Sequence, residues 1–259
     1  MQLILKLLLF FVLATNSYSL YANAENSQTQ NMLPDFKAYY ALKKVGITIA
    51  KTIIEFSHDD KSFTYSSHSK TVGLVAIFRD DQIFEKTTGQ WNNGQIRPDT
   101  YRYQRTGKKK KTKNIDFNWI TNKAVYEEDN NKTTIDIRKH TVDEFSNQLA
   151  ITLDLIRNIQ PEGSKLTYPV VDDAILKQRD FIIEGKEKIK VKAGVFETIK
   201  IKRLRYKGMN RITYFWFSPA LHLLPVKIEH IESDGGNISL ELIKIESLSP
   251  LNKQVYSHH

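Results

Sequence analysis

Residues 193–242 read Ala193-Gly-Val-Phe-Glu-Thr198, Ile199-Lys-Ile-Lys-Arg-Leu-Arg-Tyr206, a turn at Lys207-Gly208, Arg211-Ile-Thr-Tyr-Phe-Trp-Phe-Ser-Pro219, Leu223-Leu-Pro-Val-Lys-Ile-Glu229 and, past Gly235-Gly236, Ile238-Ser-Leu-Glu-Leu242. Four strand-like runs punctuated by Gly and Pro are the pattern of an antiparallel meander. In the third run Ile212, Tyr214 and Trp216 take one face, and Thr213, Phe215 and Phe217 the other. Apolar bulk on both faces predicts a strand covered on both sides.

Working back from this meander, the same pattern recurs. Strands are expected at Phe36–Leu42 and Ile47–Phe56, with a bulge near Ala50-Lys51, and at Lys61–Lys70. Asn93-Gly94 between Gln82–Trp91 and Gln95–Arg105 is a strong hairpin signal, because both central residues must take positive φ. Ile115, Phe117 and Trp119 alternate, and two further short strands follow at Ala124–Glu127 and Thr133–Ile137. Leu166–Val171, Lys177–Glu184 and Glu187–Val191 return to strands. Val72–Phe78 is a continuous apolar run with a glycine, readable as a buried strand or as a short apolar flap.

One helix interrupts the strands. Thr141-Val-Asp-Glu144 has the form of a capping box. Phe145, Leu149, Leu153 and Ile156 recur at helical spacing, Ile151, Leu155 and Ile159 widen the stripe, and Pro161 and Gly163 stop it. The expected architecture is therefore mostly β: a single curved antiparallel sheet or β-barrel-like meander of about a dozen strands, with one long helix packed across it.

Composition bounds the function. The 259-residue chain carries 38 Lys and Arg against 29 Asp and Glu, a formal net charge of +9, and no cysteine. Disulfides, thiolate metal sites and a lipidated N-terminal cysteine are thereby excluded. Residues 1–24 read as a secretory leader: an apolar core from Leu3 to Ala14 interrupted by Lys6, then Ala22-Asn23-Ala24 before a cleavage point after Ala24. Retention as an uncleaved anchor is the alternative. Residues 25–34 form a flexible lead-in, residues 35–248 the β-rich domain, and residues 249–259 a disordered tail. A periplasmic location argues against nucleic acid as the partner of the positive charge.

The chain contains no nucleophile elbow, zinc-helix motif or phosphate loop. Its seven histidines are not spaced as metal ligands, and no metal or cofactor is expected. Asp59-Asp60, Asp80-Asp81 and Asp172-Asp173 fall where turns are expected. Two candidate binding sets remain. Tyr214, Phe215, Trp216 and Phe217 offer an aromatic platform. Lys108, Lys109, Lys110, Lys111 and Lys113, with Arg203, Arg205 and Arg211, offer an anion-reading surface.

With these residues in view, the chain resembles the DUF3108 family of exported bacterial proteins. The resemblance lies in Gly194-Val-Phe-Glu-Thr198, Trp216-Phe-Ser-Pro219, Leu224-Pro-Val-Lys-Ile228 and Asp234-Gly235, in Asp143-Glu-Phe-Ser146 leading to a helix with Arg157, and in Asp116-Phe-Asn-Trp119. It implies an exported β-rich domain of unknown function and supplies no catalytic residues.

Three functions are compatible with this reading. The first is a non-catalytic periplasmic protein holding an apolar or amphipathic envelope ligand, a lipid or a glycan, in the curved sheet. The second is an envelope scaffold that binds proteins or an anionic membrane surface through its basic loops. The third is a cell-envelope hydrolase, which would need carboxylates converging in one cleft.

Overall fold

A computed structural model describes residues 33–205 and 211–248. The leader, the turn at Lys207-Gly208 and the tail from 249 lie outside the described residues. Within them the chain forms one fifteen-stranded sheet, two α-helices and a short 3-10 helix at Pro219–Leu221.

The chain winds up and down through β1 (Phe36–Lys44), β2 (Ile47–His58), β3 (Ser62–Thr71), α1 (Leu74–Phe78), β4 (Gln82–Asn92), β5 (Gln95–Arg105), β6 (Lys111–Asn118), β7 (Lys123–Glu128) and β8 (Asn131–Asp136). It crosses through β9 (Val142–Asp143) and α2 (Ser146–Arg157). It returns through β10 (Lys165–Asp172), β11 (Ile175–Val191), β12 (Gly194–Arg203), β13 (Ile212–Ser218), β14 (Leu224–Ile231) and β15 (Asn237–Leu248). Strand order is β8-β7-β6-β5-β4-β3-β2-β1-β15-β14-β13-β12-β11-β10-β9, so β1 and β15 join the two halves. Neighbours are antiparallel except β9 and β10, which run parallel through Val142 and Asp143. The edge strands β8 and β9 do not hydrogen-bond to each other, so the sheet curls without closing.

Side chains hold the curl together instead. Val171 of β10 packs with Tyr126, Ile135 and Ile137 from the opposite edge. Lys113 of β6 pairs with Asp173 beyond β10. The hollow is filled by α2, whose Leu149, Ile151, Leu153 and Leu155 are buried among Phe56, Tyr65, Phe181, Phe215 and Phe217. Full burial of each aliphatic side chain stabilises the fold by about 1.5–3 kcal/mol.

Several expectations are corrected here. The helix is short, 12 residues, not long. Its first turn is not capped by the Thr141/Glu144 box. The Thr141 hydroxyl instead closes a turn on Arg138, donating to its carbonyl at 2.6 Å and accepting its N–H at 3.1 Å. Asp143 does the capping. The sheet has fifteen strands rather than about a dozen, although Lys177–Glu184 and Glu187–Val191 are one strand, β11, with a register shift at Gly185. The β2 bulge falls at Ile49: Leu42 faces Ala50 while Lys43 faces Thr48. Val72–Phe78 is neither buried nor a strand. It ends in α1, where none of the five residues is buried. Leu33, at the end of the expected lead-in, is fully buried in the core.

The turn chemistry follows the sequence. Asn93 and Gly94 take φ of 53° and 72°, the paired positive values of a tight hairpin. Val45 also takes a positive φ, 48°, which a β-branched residue resists.

Candidate functional site

Up-and-down winding sorts the connections to two ends of the sheet. One rim carries the β1–β2 turn, α1, the β5–β6 turn, the β7–β8 turn, the Asp173-Ala174 turn and the segments entering and leaving 206–210. The opposite rim carries the Asn93-Gly94 turn, the β6–β7 turn and the link from β8 to β9.

The first rim is apolar and basic together. On α1, Leu74, Ile77 and Phe78 are 77%, 74% and 71% exposed. Val45 and Ile47 of the β1–β2 turn are similarly exposed at the same end. The helix is held against β2 through Val72, whose N–H donates to the Ile49 carbonyl at 3.0 Å. Beside it, the segment Arg79–Asp81 is stapled to the basic β5–β6 turn. The buried Asp81 carboxylate accepts from Arg105 at 2.5 Å and from the Lys108 amide at 3.2 Å, and pairs with Arg79 at 3.2 Å. The hydrogen bond from Arg105 holds the Asp81 carboxyl below the usual carboxylate range. Gly107 turns this corner at φ 87°, where an added Cβ would lie 2.2 Å from Asp81 Oδ1, so no other residue fits. Lys108, Lys109 and Lys110 are thereby presented as exposed cations next to an exposed apolar helix. Among the described residues these three make no ion pair, whereas Lys111 pairs with Glu128 at 2.5 Å and Lys113 with Asp173.

The arginines divide. Arg205 and Arg211 reach the same rim, Arg211 paired with Glu232 at 2.6 Å. Arg203 is partly buried near Arg179, Glu144 and Asp172, and that burial lowers its pKa.

The aromatic strand divides as well. Phe215 and Phe217 lie in the core. Tyr214 and Trp216 take the other face of the strand beside lysines, and Trp216 is itself a buried member of the same core cluster. Lys200 Nζ stands 4.8 Å from the Tyr214 ring centre, and Lys227 Nζ 4.9 Å from that of Trp216. Trp216 is only 4% exposed. The four side chains thus stand on opposite faces of one strand.

Carboxylates do converge, inside the body. Asp143 is fully buried, accepting from the amides of Phe145 (3.0 Å) and Ser146 (2.8 Å), the Ser146 hydroxyl (2.6 Å) and the Thr87 hydroxyl (3.1 Å). Burial pushes its pKa up, and does the same to Glu85, which accepts from the Tyr101 hydroxyl at 2.8 Å. Glu144 lies at the edge of this group, its side chain half exposed and paired with Arg179 at 3.3 Å; partial burial and the neighbouring Asp172, itself paired with Arg179, raise its pKa to about 7. These groups bond α2 and β9 to the inner faces of β4, β5 and β11. Two clefts among the described residues, of about 190 and 140 Å³, are lined by other side chains. No group of carboxylates or histidines among the described residues is arranged to hold a metal ion.

The family model for "Protein of unknown function (DUF3108)" matches residues 35–243. The chain belongs to the DUF3108 family. Its Asp143…Ser146 element is the buried cap just described, a structural device. Among solved structures, the DUF3108 chain is similar to a β-barrel-like protein of the DUF1849 domain from Brucella abortus, with TM-score 0.52 and 11% identity over 82% of this chain and 97% of that one. That likeness concerns the fold alone. Weaker likenesses, which carry no argument, are to a protein with a YmcC-like fold from Bacteroides fragilis (TM-score 0.33, 10% identity, 82% of this chain and 94% of that one) and to a DUF1329 family protein from Desulfovibrio piger (TM-score 0.23, 10% identity, 91% and 94%). No curated protein matches in sequence.

Sequence reasoning left Val72–Phe78 undecided and missed its position beside Lys108–Lys110.

Proposed function

We propose that this DUF3108 protein is an exported, non-catalytic envelope protein that docks on an anionic membrane face through the rim built from α1 and the β5–β6 turn. One observation carries the reading: three large apolar side chains, Leu74, Ile77 and Phe78, stand in solvent beside the exposed lysines 108–110, which make no ion pair among the described residues. Stable attachment to a membrane takes two signals, and an apolar insertion next to a polybasic patch supplies both. Moving the three apolar side chains out of water contributes about 5 kcal/mol, and each lysine near anionic headgroups about 1 kcal/mol. Strain at Val45, an exposed residue at positive φ on the same rim, is of the kind retained where function requires it.

Export rests on the leader-like residues 1–24. Among the described residues no helix is long and apolar enough to cross a bilayer. The rim is favoured over a ligand inside the curl because α2 and the aromatic core fill that space. It is favoured over a hydrolase because the convergent carboxylates are bonded into the packing.

The test is sedimentation with vesicles of neutral lipid and of neutral lipid plus phosphatidylglycerol, at low and high salt. Binding should require the anionic lipid, weaken with salt, and fall at least tenfold on reversing Lys108–Lys110 to Glu. Binding indifferent to lipid charge, or unchanged by the reversal, would contradict the proposal.

A further inference from the structure

At the opposite rim lies a cleft of about 190 Å³ lined by Asn92, Gln95, Ile96, Arg97, Trp119, Asn122, Lys139 and His140. Three separate connections build it: the β4–β5 hairpin, the β6–β7 turn and the link from β8 to β9. Its chemistry is mixed in a specific way. Trp119 and Ile96 give an apolar wall, with Trp119 fixed by its indole N–H donating to the Pro98 carbonyl at 2.7 Å. Asn92, Gln95 and Asn122 supply amides that donate and accept, as a set of hydroxyls requires.

Arg97 and Lys139 supply positive charge. Arg97 is oriented by its bond to Gln90 Oε1 at 2.7 Å, yet its Nε–H is buried without a partner. A buried unpaired donor is costly and calls for an acceptor. Lys139 makes no ion pair among the described residues. The acids whose charge reaches these groups are Asp99, beside Arg97, and Asp154, which is itself bonded to Tyr168 and paired with Arg157. His140 stands at φ 64°, a conformation few non-glycine residues hold, and partial desolvation together with the neighbouring Lys139 lowers its pKa.

We propose that this cleft binds a carboxylated sugar ring, with the carboxylate on Arg97 and Lys139, the hydroxyls on the three amides, and the ring face on Trp119. The volume is below the roughly 300 Å³ of pockets for drug-sized ligands and suits a single ring. The cleft stands at the far end from the α1 rim, so a docked protein would still present it.

The experiment is titration of the full chain, followed by the Trp119 indole resonance, with glucuronate, its methyl glycoside as a mimic of a glycan end, glucose and acetate. Glucuronate or its glycoside should shift the resonance saturably, and which of the two binds separates a free sugar acid from a chain end. Glucose and acetate should bind at least tenfold more weakly, and Lys139→Ala and Arg97→Gln should each weaken binding at least tenfold. Lys139 is exposed, so its variant tests the site without threatening the fold. Failure of both sugar acids to bind, or equal binding of glucose or of acetate, overturns the proposal. Vesicle binding by the opposite rim is untouched by either result.

Discussion

Replacing Asp143 by alanine removes one side chain and strands four donors. The Asp143 carboxylate accepts the amides of Phe145 and Ser146 and the hydroxyls of Ser146 and Thr87, all in the interior. The two hydroxyls can rotate toward other acceptors. The two amides cannot, and each orphaned buried donor costs about 1–3 kcal/mol. Loss of packing to Thr87, which ties α2 to β4, adds to this, while release of a buried acid whose pKa is raised offsets part of it. The net cost is about 3–5 kcal/mol, above the roughly 1 kcal/mol of an ordinary exposed helix cap. Asp143→Asn keeps one acceptor and should cost about 1–2 kcal/mol. Urea unfolding followed by circular dichroism should give a lower midpoint with an unchanged slope for D143A, and a drop in melting temperature of roughly 6–20 °C. Hydrogen exchange should quicken first at Phe145 and Ser146. A D143A protein within about 1 kcal/mol of the parent would refute the view that this cap fastens the helix into the sheet.

Other outcomes follow from the same structure. Leu153→Ala, a truncation inside the filled hollow, should cost about 2–5 kcal/mol by denaturant titration. Val45→Asn places a residue that tolerates positive φ at the strained turn; it should raise stability by about 1 kcal/mol while lowering vesicle binding. His230 accepts or donates at 2.8 Å with Thr213 Oγ1, and burial with Arg211 and Arg203 nearby holds its pKa down to about 4. Between the unfolded value near 6.5 and about 4 the unfolded chain binds the extra proton. Stability from this group is therefore present above pH 6.5 and lost as pH falls toward 4, by about 1–2 kcal/mol given its partial exposure. His230→Gln should flatten the stability-versus-pH curve by that amount relative to the parent; an unchanged curve would show that the ring takes up its proton as readily in the fold as in the unfolded chain.

Much of the fold is legible in the chain because local chemistry and global topology agree there. Asn93-Gly94 can only turn, and it does so with both φ values positive. The alternation Thr213, Phe215, Phe217 against Tyr214, Trp216 survives as an inner and an outer face. What the sequence hides depends on distant partners. A bulge at Gly185 looks like a break between two strands until β12 is seen bridging it. The Thr141/Glu144 spacing satisfies a capping rule, but β10 takes Val142 and Asp143 into the sheet and moves the cap to Asp143. Val72–Phe78 reads equally as a buried strand or as an apolar flap from its composition alone; its place in the connection between β3 and β4 puts it outside the sheet. The cleft residues come from 92–97, 119–122 and 139–140, and no local pattern links them. The outer face of β13 reads as covered, and long lysine stems help supply that cover.

The absence of cysteine makes one experiment especially direct. A single cysteine placed at Ile77 on α1, or at Ile120, 95% exposed in the β6–β7 turn of the other rim, can carry an environment-sensitive dye alone. With phosphatidylglycerol vesicles, the dye at position 77 should shift to the blue and be quenched by brominated lipid tails, while the dye at position 120 stays in water. A protein that binds the vesicles with position 77 still in water, or with position 120 inserted, would contradict the account.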